Sequence, residues 1–287
     1  MSRRRQLLRG GRKGAQLIAN VSDVAYKAPN GKIMVVAQDL WDASLGTPVG
    51  VVVIPSGFAP DGKARIVSLY WGSLSSTSAT SAVKTYWSRI SSDISLPNYD
   101  RVPITNNKGL TNTGTGTSGF LPSDRHLSGT ASYVDPVAMY DSVADNSELV
   151  PSPYLGDTPN PAYYAPISGK NNALSDFSGK GNTDVLVTGT VFDAAEAARN
   201  YKSAGAEEVE WYLPAMGELG YLVVRFKKIA EVLTMLGAAD FEYTYYWSST
   251  EESELSAYYL DLASDYVDMD YSKGNPMVVR PFAMLDF

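Results

Sequence analysis

Trp211-Tyr-Leu-Pro-Ala-Met-Gly-Glu-Leu-Gly-Tyr-Leu-Val-Val-Arg-Phe-Lys-Lys-Ile-Ala-Glu-Val-Leu-Thr-Met-Leu-Gly237 decides the fold together with Tyr245-Tyr-Trp-Ser-Ser-Thr-Glu-Glu-Ser-Glu-Leu-Ser-Ala-Tyr-Tyr-Leu-Asp-Leu-Ala-Ser-Asp-Tyr-Val-Asp-Met-Asp-Tyr-Ser272. In the first, Leu219, Leu222, Val223, Phe226, Ile229, Leu233 and Leu236 recur three or four apart. They form one apolar stripe, which predicts an amphipathic helix with Pro214 in its first turn and Gly237 at its stop. In the second, the period changes to two. Leu260 and Leu262 share a side with Tyr258, leaving Tyr259 and Asp261 on the other, and Val267 and Met269 oppose Tyr266, Asp268 and Asp270. Two strands are predicted, each burying one side and presenting polar groups on the other.

Upstream, the β-branched runs Val49–Ile54 and Ile66–Trp71 flank a Pro/Gly/Asp connection and predict a hairpin, while Lys32–Ala37 predicts a further strand. Residues 72–183 are irregular and rich in Ser, Thr, Gly, Asn and Pro, with Ala79–Ile90 as one short helix. Aromatic residues threaded through this stretch favour a packed insertion. Asp176–Asp184 is rich in oxygen donors and glycine; it reads as a structural turn or, as the alternative, a calcium loop. Asp193 with Glu196 fits a capping box for a short helix over Ala194–Tyr201.

The order Trp211-Tyr-Leu-Pro, Glu218-Leu219, Trp247-Ser-Ser-Thr250, Ala257-x-Tyr259 and Val279-Arg280-Pro281-Phe282 resembles bacterial and phage domains of the C-type-lectin fold related to formylglycine-generating enzymes. Within that group it looks most like proteins of gut Bacteroidales and their phages that are diversified by retroelements. Val49–Pro55, Leu96–Tyr99, Pro151–Leu155 and Asp176–Asp184 extend the likeness to about residues 30–287. The resemblance implies an α+β fold, a C-type-lectin-like domain at 31–287 with two helices around a small twisted antiparallel sheet. Before it lies a basic N-terminal arm at 1–30, and within it the irregular insertion. It also implies that Trp211 and Trp247 pack in the core and that Arg280 anchors the last strand, with Glu218 as its buried partner.

Composition narrows the chemistry. The 287 residues include no cysteine and one histidine. Neither disulfides nor thiolate chemistry is available, and a protein-built zinc site is disfavoured. Formylglycine-generating enzymes depend on active-site cysteine, so the resemblance carries over the fold and not that activity. His126 lies beside Ser123 and Asp124. It could act as a general base there, but a solvated loop histidine is the simpler reading, and no Gly-x-Ser-x-Gly elbow accompanies it. The lectin calcium motifs Glu-Pro-Asn or Gln-Pro-Asp and Trp-Asn-Asp are missing. We therefore expect no catalytic residues, no cofactor and no metal.

Net charge is −7, unevenly spread. Arg3, Arg4, Arg5, Arg9, Arg12 and Lys13 stand in the arm without an acid, leaving 18 basic against 31 acidic residues elsewhere. From Asp240 onward ten acidic residues face Lys273 and Arg280 alone. This surface should repel nucleic acid and favour neutral or cationic ligands. No apolar h-region follows the basic start, and no apolar run is long enough to span a membrane, so neither a signal peptide nor membrane insertion is expected. That pattern favours a virion component over a bacterial cell-surface protein, with the arm free, or docking the chain into a virion or oligomer.

In retroelement-diversified relatives, mutation of template adenines fills surface positions with Tyr, Asp, Ser and Asn. The expected ligand face, about residues 251–277, comprises Ser253, Glu254, Ser256, Tyr258, Tyr259, Asp261, Ser264, Asp265, Tyr266, Asp268, Asp270, Tyr271, Ser272 and Asn275. Tyrosine offers broad amphipathic contact at low entropy cost and the shorter side chains adaptable hydrogen bonds, as in an antibody paratope. An ordinary polar sheet face is the bland alternative, and Asp268 with Asp270 could instead hold calcium or act as an acid/base pair. The expected partner is a host surface protein or polysaccharide, met by a phage tail-fibre or receptor-binding protein. A bacterial adhesin is the alternative, and an enzyme with altered chemistry a more distant one.

Overall fold

A computed structural model describes residues 19–56, 59, 61–88, 133–134, 177–187, 192–251, 256–262 and 266–286. The fold is α+β. Strands β1 (Val24–Lys27), β2 (Ile33–Val36), β3 (Thr47–Ile54), β4 (Ala64–Ser68), β7 (Trp211–Tyr212) and β12 (Phe282–Leu285) form one antiparallel sheet in the order β2-β1-β3-β4-β12-β7. The second sheet has the order β5-β11-β8-β9-β10-β6. Its strands are β5 (Lys84–Tyr86), β6 (Tyr133–Val134), β8 (Tyr245–Glu251), β9 (Ser256–Asp261), β10 (Tyr266–Ser272) and β11 (Pro276–Val278). Its pairs are antiparallel except β11 with β8. Among the described residues three α-helices pack on these sheets: α1 (Gly179–Leu186), α2 (Asp193–Arg199) and α3 (Met216–Met235).

Helix α3 follows its predicted stripe. Leu219, Leu222, Ile229 and Leu233 are fully buried and Phe226 nearly so. They join Val51 and Val53 of β3, Phe282 of β12, and Tyr246, Tyr258 and Leu260 of the second sheet in one core. Gly237 ends the helix at φ 66°. Its N–H donates to the Thr234 carbonyl and that of Ala238 to Leu233, a pair of bonds that needs a left-handed residue between them. Two more cores lie outside this one. Trp87, Phe192, Leu213, Trp247, Ala257, Tyr259 and Met277 pack on the far side of the second sheet, beneath α1 and α2. Ala25, Val49, Val52, Ile66, Trp211 and Ala283 pack with Tyr201 on the far side of the first. The unbroken β-branched run in β3 is thereby explained: both of its sides are buried.

The structure departs from the sequence reading at several places. The expected arm at 1–30 is too long, because β1 lies inside the first sheet and Ala19 is fully buried. Val24 and Ala25 make a short apolar pair whose strand character comes from pairing with β2 and β3 rather than from its own pattern. The two β runs near the start do form the hairpin β3–β4. No helix forms over Ala79–Ser88; Ala79 bridges to Trp71, and β5 pairs with β11. The turn or calcium loop expected at Asp176–Asp184 is helical from Gly179. Thr183 holds that helix in place: its hydroxyl donates to the Gly179 carbonyl and accepts from the Leu213 N–H. The second helix starts at Asp193 with Phe192 at the N-cap position, one residue earlier than expected, so Asp193 is its first helical residue. The sheets are also larger than the single small sheet expected.

Candidate ligand-binding face

The segment Trp247–Thr250 is a junction that fixes the C-terminal strands. Trp247 is fully buried, and its indole N–H donates to the Thr85 carbonyl at 3.0 Å. Trp87 returns the contact, its indole donating to the Ser248 carbonyl at 2.7 Å. The two indoles thus tie β5 to β8 across the intervening β11. The Ser248 hydroxyl donates to the Tyr258 carbonyl of β9, and the Ser249 N–H to the Pro214 carbonyl. The Thr250 hydroxyl oxygen accepts the Met216 N–H at 2.8 Å. That donor is one of the unpaired groups at the start of α3, and Ala215 at the N-cap has no side chain to satisfy it.

A second buried junction centres on Glu218, which is fully buried in the first turn of α3. One carboxylate oxygen accepts from the Arg65 guanidinium and the Tyr212 hydroxyl, both at 2.9 Å; the other accepts the Ala215 N–H at 2.8 Å. Arg65 continues to Asp61 at 2.9 Å and to the Lys63 carbonyl. Burial pushes the Glu218 carboxyl up to about 7, opposed by the Arg65 charge and the hydrogen bonds from Ala215, Arg65 and Tyr212. Gly179 passes so close that a Cβ there would stand 2.7 Å from the Ala215 nitrogen and 2.8 Å from the Tyr212 ring.

Arg280 does not pair with Glu218, as the sequence reading supposed. It donates to the carbonyls of Ser68, Leu69, Ala239 and Asp240 and lies 4.8 Å and 4.9 Å from the Trp71 and Phe241 ring centres. Burial lowers its pKa to about 10, against the attraction of Tyr246, Tyr201 and Asp240. Arg280 ties the C-terminal strand to the backbone at Ser68–Leu69 and at Ala239–Asp240, while Arg65 of β4 takes the acid. Trp211 is buried edge-to-face against Tyr201 at 4.7 Å.

Strand register divides the expected ligand residues between the two sides of the second sheet. Tyr245 opposes Asp261, Trp247 opposes Tyr259, and Tyr271 opposes Ala257, so these share one side. Tyr246 opposes Leu260, and Ser272 opposes Ser256, on the other. Tyr258 and Tyr259 are corrections: they are 0% and 6% exposed. β9 is covered by α3 on one side and by the Trp87–Trp247 core on the other, so alternation did not separate a wet face from a dry one. Ser256, Asp261, Tyr271 and Asn275 are half-buried and Ser272 is exposed. Tyr266, Asp268 and Asp270 lie in β10, with Tyr266 opposite Asp261 and Asp268 opposite Tyr259 in backbone register. Ser253, Glu254, Ser264, Asp265 and His126 lie outside the described residues.

Tyr245 was missed by the sequence reading. It is 38% exposed and packs against Tyr259 and Tyr271, with ring centres 5.5 and 5.8 Å away. Its signal was the two-residue offset from Trp247, which sets both on the same side of β8. Among the described residues no group of three or more His, Cys, Asp or Glu could hold a metal ion, and no helix is long and apolar enough to cross a membrane.

No family model and no curated protein matches this chain. Among solved structures it is similar to a fimbrial protein from Bacteroides ovatus ATCC 8483, at 14% identity and a TM-score of 0.47, over 93% of this chain and 49% of that one. The chain therefore spans about half the length of that protein.

Proposed function

We propose that this chain is a non-catalytic binding protein whose ligand face lies at the solvent-reaching edge of β8, β9 and β10. The observation that supports it is the contrast within those strands. The backbones of β8 and β9 are held by buried contacts from Trp247, Ser248 and Thr250, while Tyr245, Asp261 and Tyr271 reach water on one side of the sheet and Ser272 on the other. A rigid scaffold presenting tyrosine and short polar side chains suits recognition, because little ordering entropy remains to be lost on binding.

The resemblance to retroelement-diversified C-type-lectin-fold proteins supplies the finer reading: a phage tail-fibre or receptor-binding protein that recognises a protein or polysaccharide of its bacterial host. A bacterial cell-surface adhesin is the alternative setting. Deep sequencing of the gene in a population tests the reading. Sibling chains should differ at Asp261, Tyr266, Asp268, Asp270 and Tyr271, with a nearby reverse transcriptase and a near-copy of the 3′ coding end differing at adenines. Tyr258, Tyr259, Leu260 and Trp247 should stay fixed, since each is buried. Differences spread evenly along the domain would count against it, and phage or chromosomal gene neighbours distinguish the two settings.

A further inference from the structure

Tyr245, Tyr259 and Tyr271 come from three adjacent strands and touch pairwise, with ring centres 5.0 to 5.8 Å apart. Those spacings leave no room for a guest between the rings, so a ligand can use only their outward faces. Tyr259 is sealed at 6% exposure; the accessible ring surface belongs to Tyr245 and to half-buried Tyr271. The face of an aromatic ring carries negative potential and attracts an organic cation.

Charge around the rings points the same way. Asp261 stands directly opposite Tyr245 in the β8–β9 register and on the same side of the sheet, at the flank of the ring cluster. In sequence, the stretch from Asp240 onward carries ten acidic residues and two bases, Lys273 and Arg280, and both bases are buried. Lys273 is buried with its ammonium 4.7 Å from the centre of Trp87, and Arg280 is buried against Trp71 and Phe241. Trp87 and Tyr259 belong to one core, with Tyr271 packed against it.

We propose that Tyr245 and Tyr271, flanked by Asp261, form a subsite for a quaternary ammonium group carried by the ligand. The inference rests on the binding role assigned above to this face. A primary ammonium is strongly hydrated and keeps its water at a half-open site, whereas a quaternary one has no N–H to satisfy and sheds water readily onto an aromatic surface.

The test is an NMR titration of the full chain with choline, its uncharged isostere 3,3-dimethylbutan-1-ol, and Nα-acetyl-lysine amide. Choline should saturate and bind more tightly than the isostere by about two- to fivefold. Tyr245→Ala should weaken choline by about tenfold, Asp261→Asn should weaken it less, and Tyr245→Phe should retain it because the ring remains. Tyr243→Ala should change nothing: that ring is 67% exposed but packs on Phe226 instead. Equal binding of the isostere, tighter binding of the lysine probe, equal effects of Tyr243→Ala and Tyr245→Ala, or no saturation would each overturn the subsite. Attachment of the protein to bacterial cells that choline does not compete would overturn it too, while leaving the binding role intact. Choline saturation without any attachment would do the reverse.

Discussion

Trp247→Ala lowers the stability of the folded chain by about 3 to 5 kcal/mol, the range for truncating a large buried aromatic side chain. Trp247 is fully buried beside Trp87, Leu213, Tyr259 and Met277, and the strands around it are pinned by hydrogen bonds, so the vacated space cannot collapse freely. The substitution also removes the only indole donor to the Thr85 carbonyl among the hydrogen bonds described. Trp247→Phe separates the two effects. It fills most of the volume but loses the donor, and should cost about 1 to 3 kcal/mol, the penalty for an unsatisfied buried polar group. Urea melts of both variants give the comparison. Losses near zero for Trp247→Ala would mean that β8 is not held through this residue.

Glu218→Ala should cost about 3 to 5 kcal/mol as well, because it leaves a buried guanidinium without its acid. Arg65 is 1% exposed and would keep only Asp61, itself on the surface, and the Lys63 carbonyl. The Tyr212 hydroxyl and the Ala215 N–H would lose their acceptor too. The same carboxyl gives stability a pH dependence. Its folded pKa is about 7 against an ordinary 4.5, so between those values the folded chain holds the proton more firmly than the unfolded chain. The contribution is fully present below pH 4.5 and declines as pH rises through 7. Thermal melts should therefore show wild type losing more Tm between pH 5 and pH 8 than Glu218→Gln does. Parallel slopes would place the titration elsewhere.

Much of the helix-and-strand pattern was legible because one residue spacing dominated each segment. The 3.6-residue stripe from Leu219 to Leu233 has one core to face, and Gly237 one way to end it. β9 was read with the right strand and the right division of side chains, but with a wet side that its Tyr259 does not have. Alternation between Leu260 and Tyr259 looks like inside and outside, but tyrosine carries enough apolar surface to pack beneath α1 and α2 as readily as leucine packs beneath α3. β1 escaped notice because four residues carry no period of their own; pairing with β2 and β3 makes them a strand. Arg280 was given the wrong partner since sequence cannot say which of two buried cations an acid meets. Arg65, from a strand 153 residues away in sequence, takes Glu218. On the candidate face, the residue types from Ser256 to Asn275 were visible, while Tyr245 became part of it only through the cross-strand register.

Attachment of the purified chain to cells of a panel of Bacteroidales strains is the most direct measurement of where binding resides. Wild type is compared with Tyr245→Ala, Tyr271→Ala, Tyr243→Ala and His126→Ala at two salt concentrations. Tyr245→Ala and Tyr271→Ala should each weaken attachment by about 1 to 3 kcal/mol with the fold intact, and the other two should match wild type. Higher salt should weaken attachment mainly by slowing association if the ligand is cationic. Tyrosine variants that bind like wild type, beside a His126→Ala variant that does not bind, would put recognition in the insertion and contradict this account.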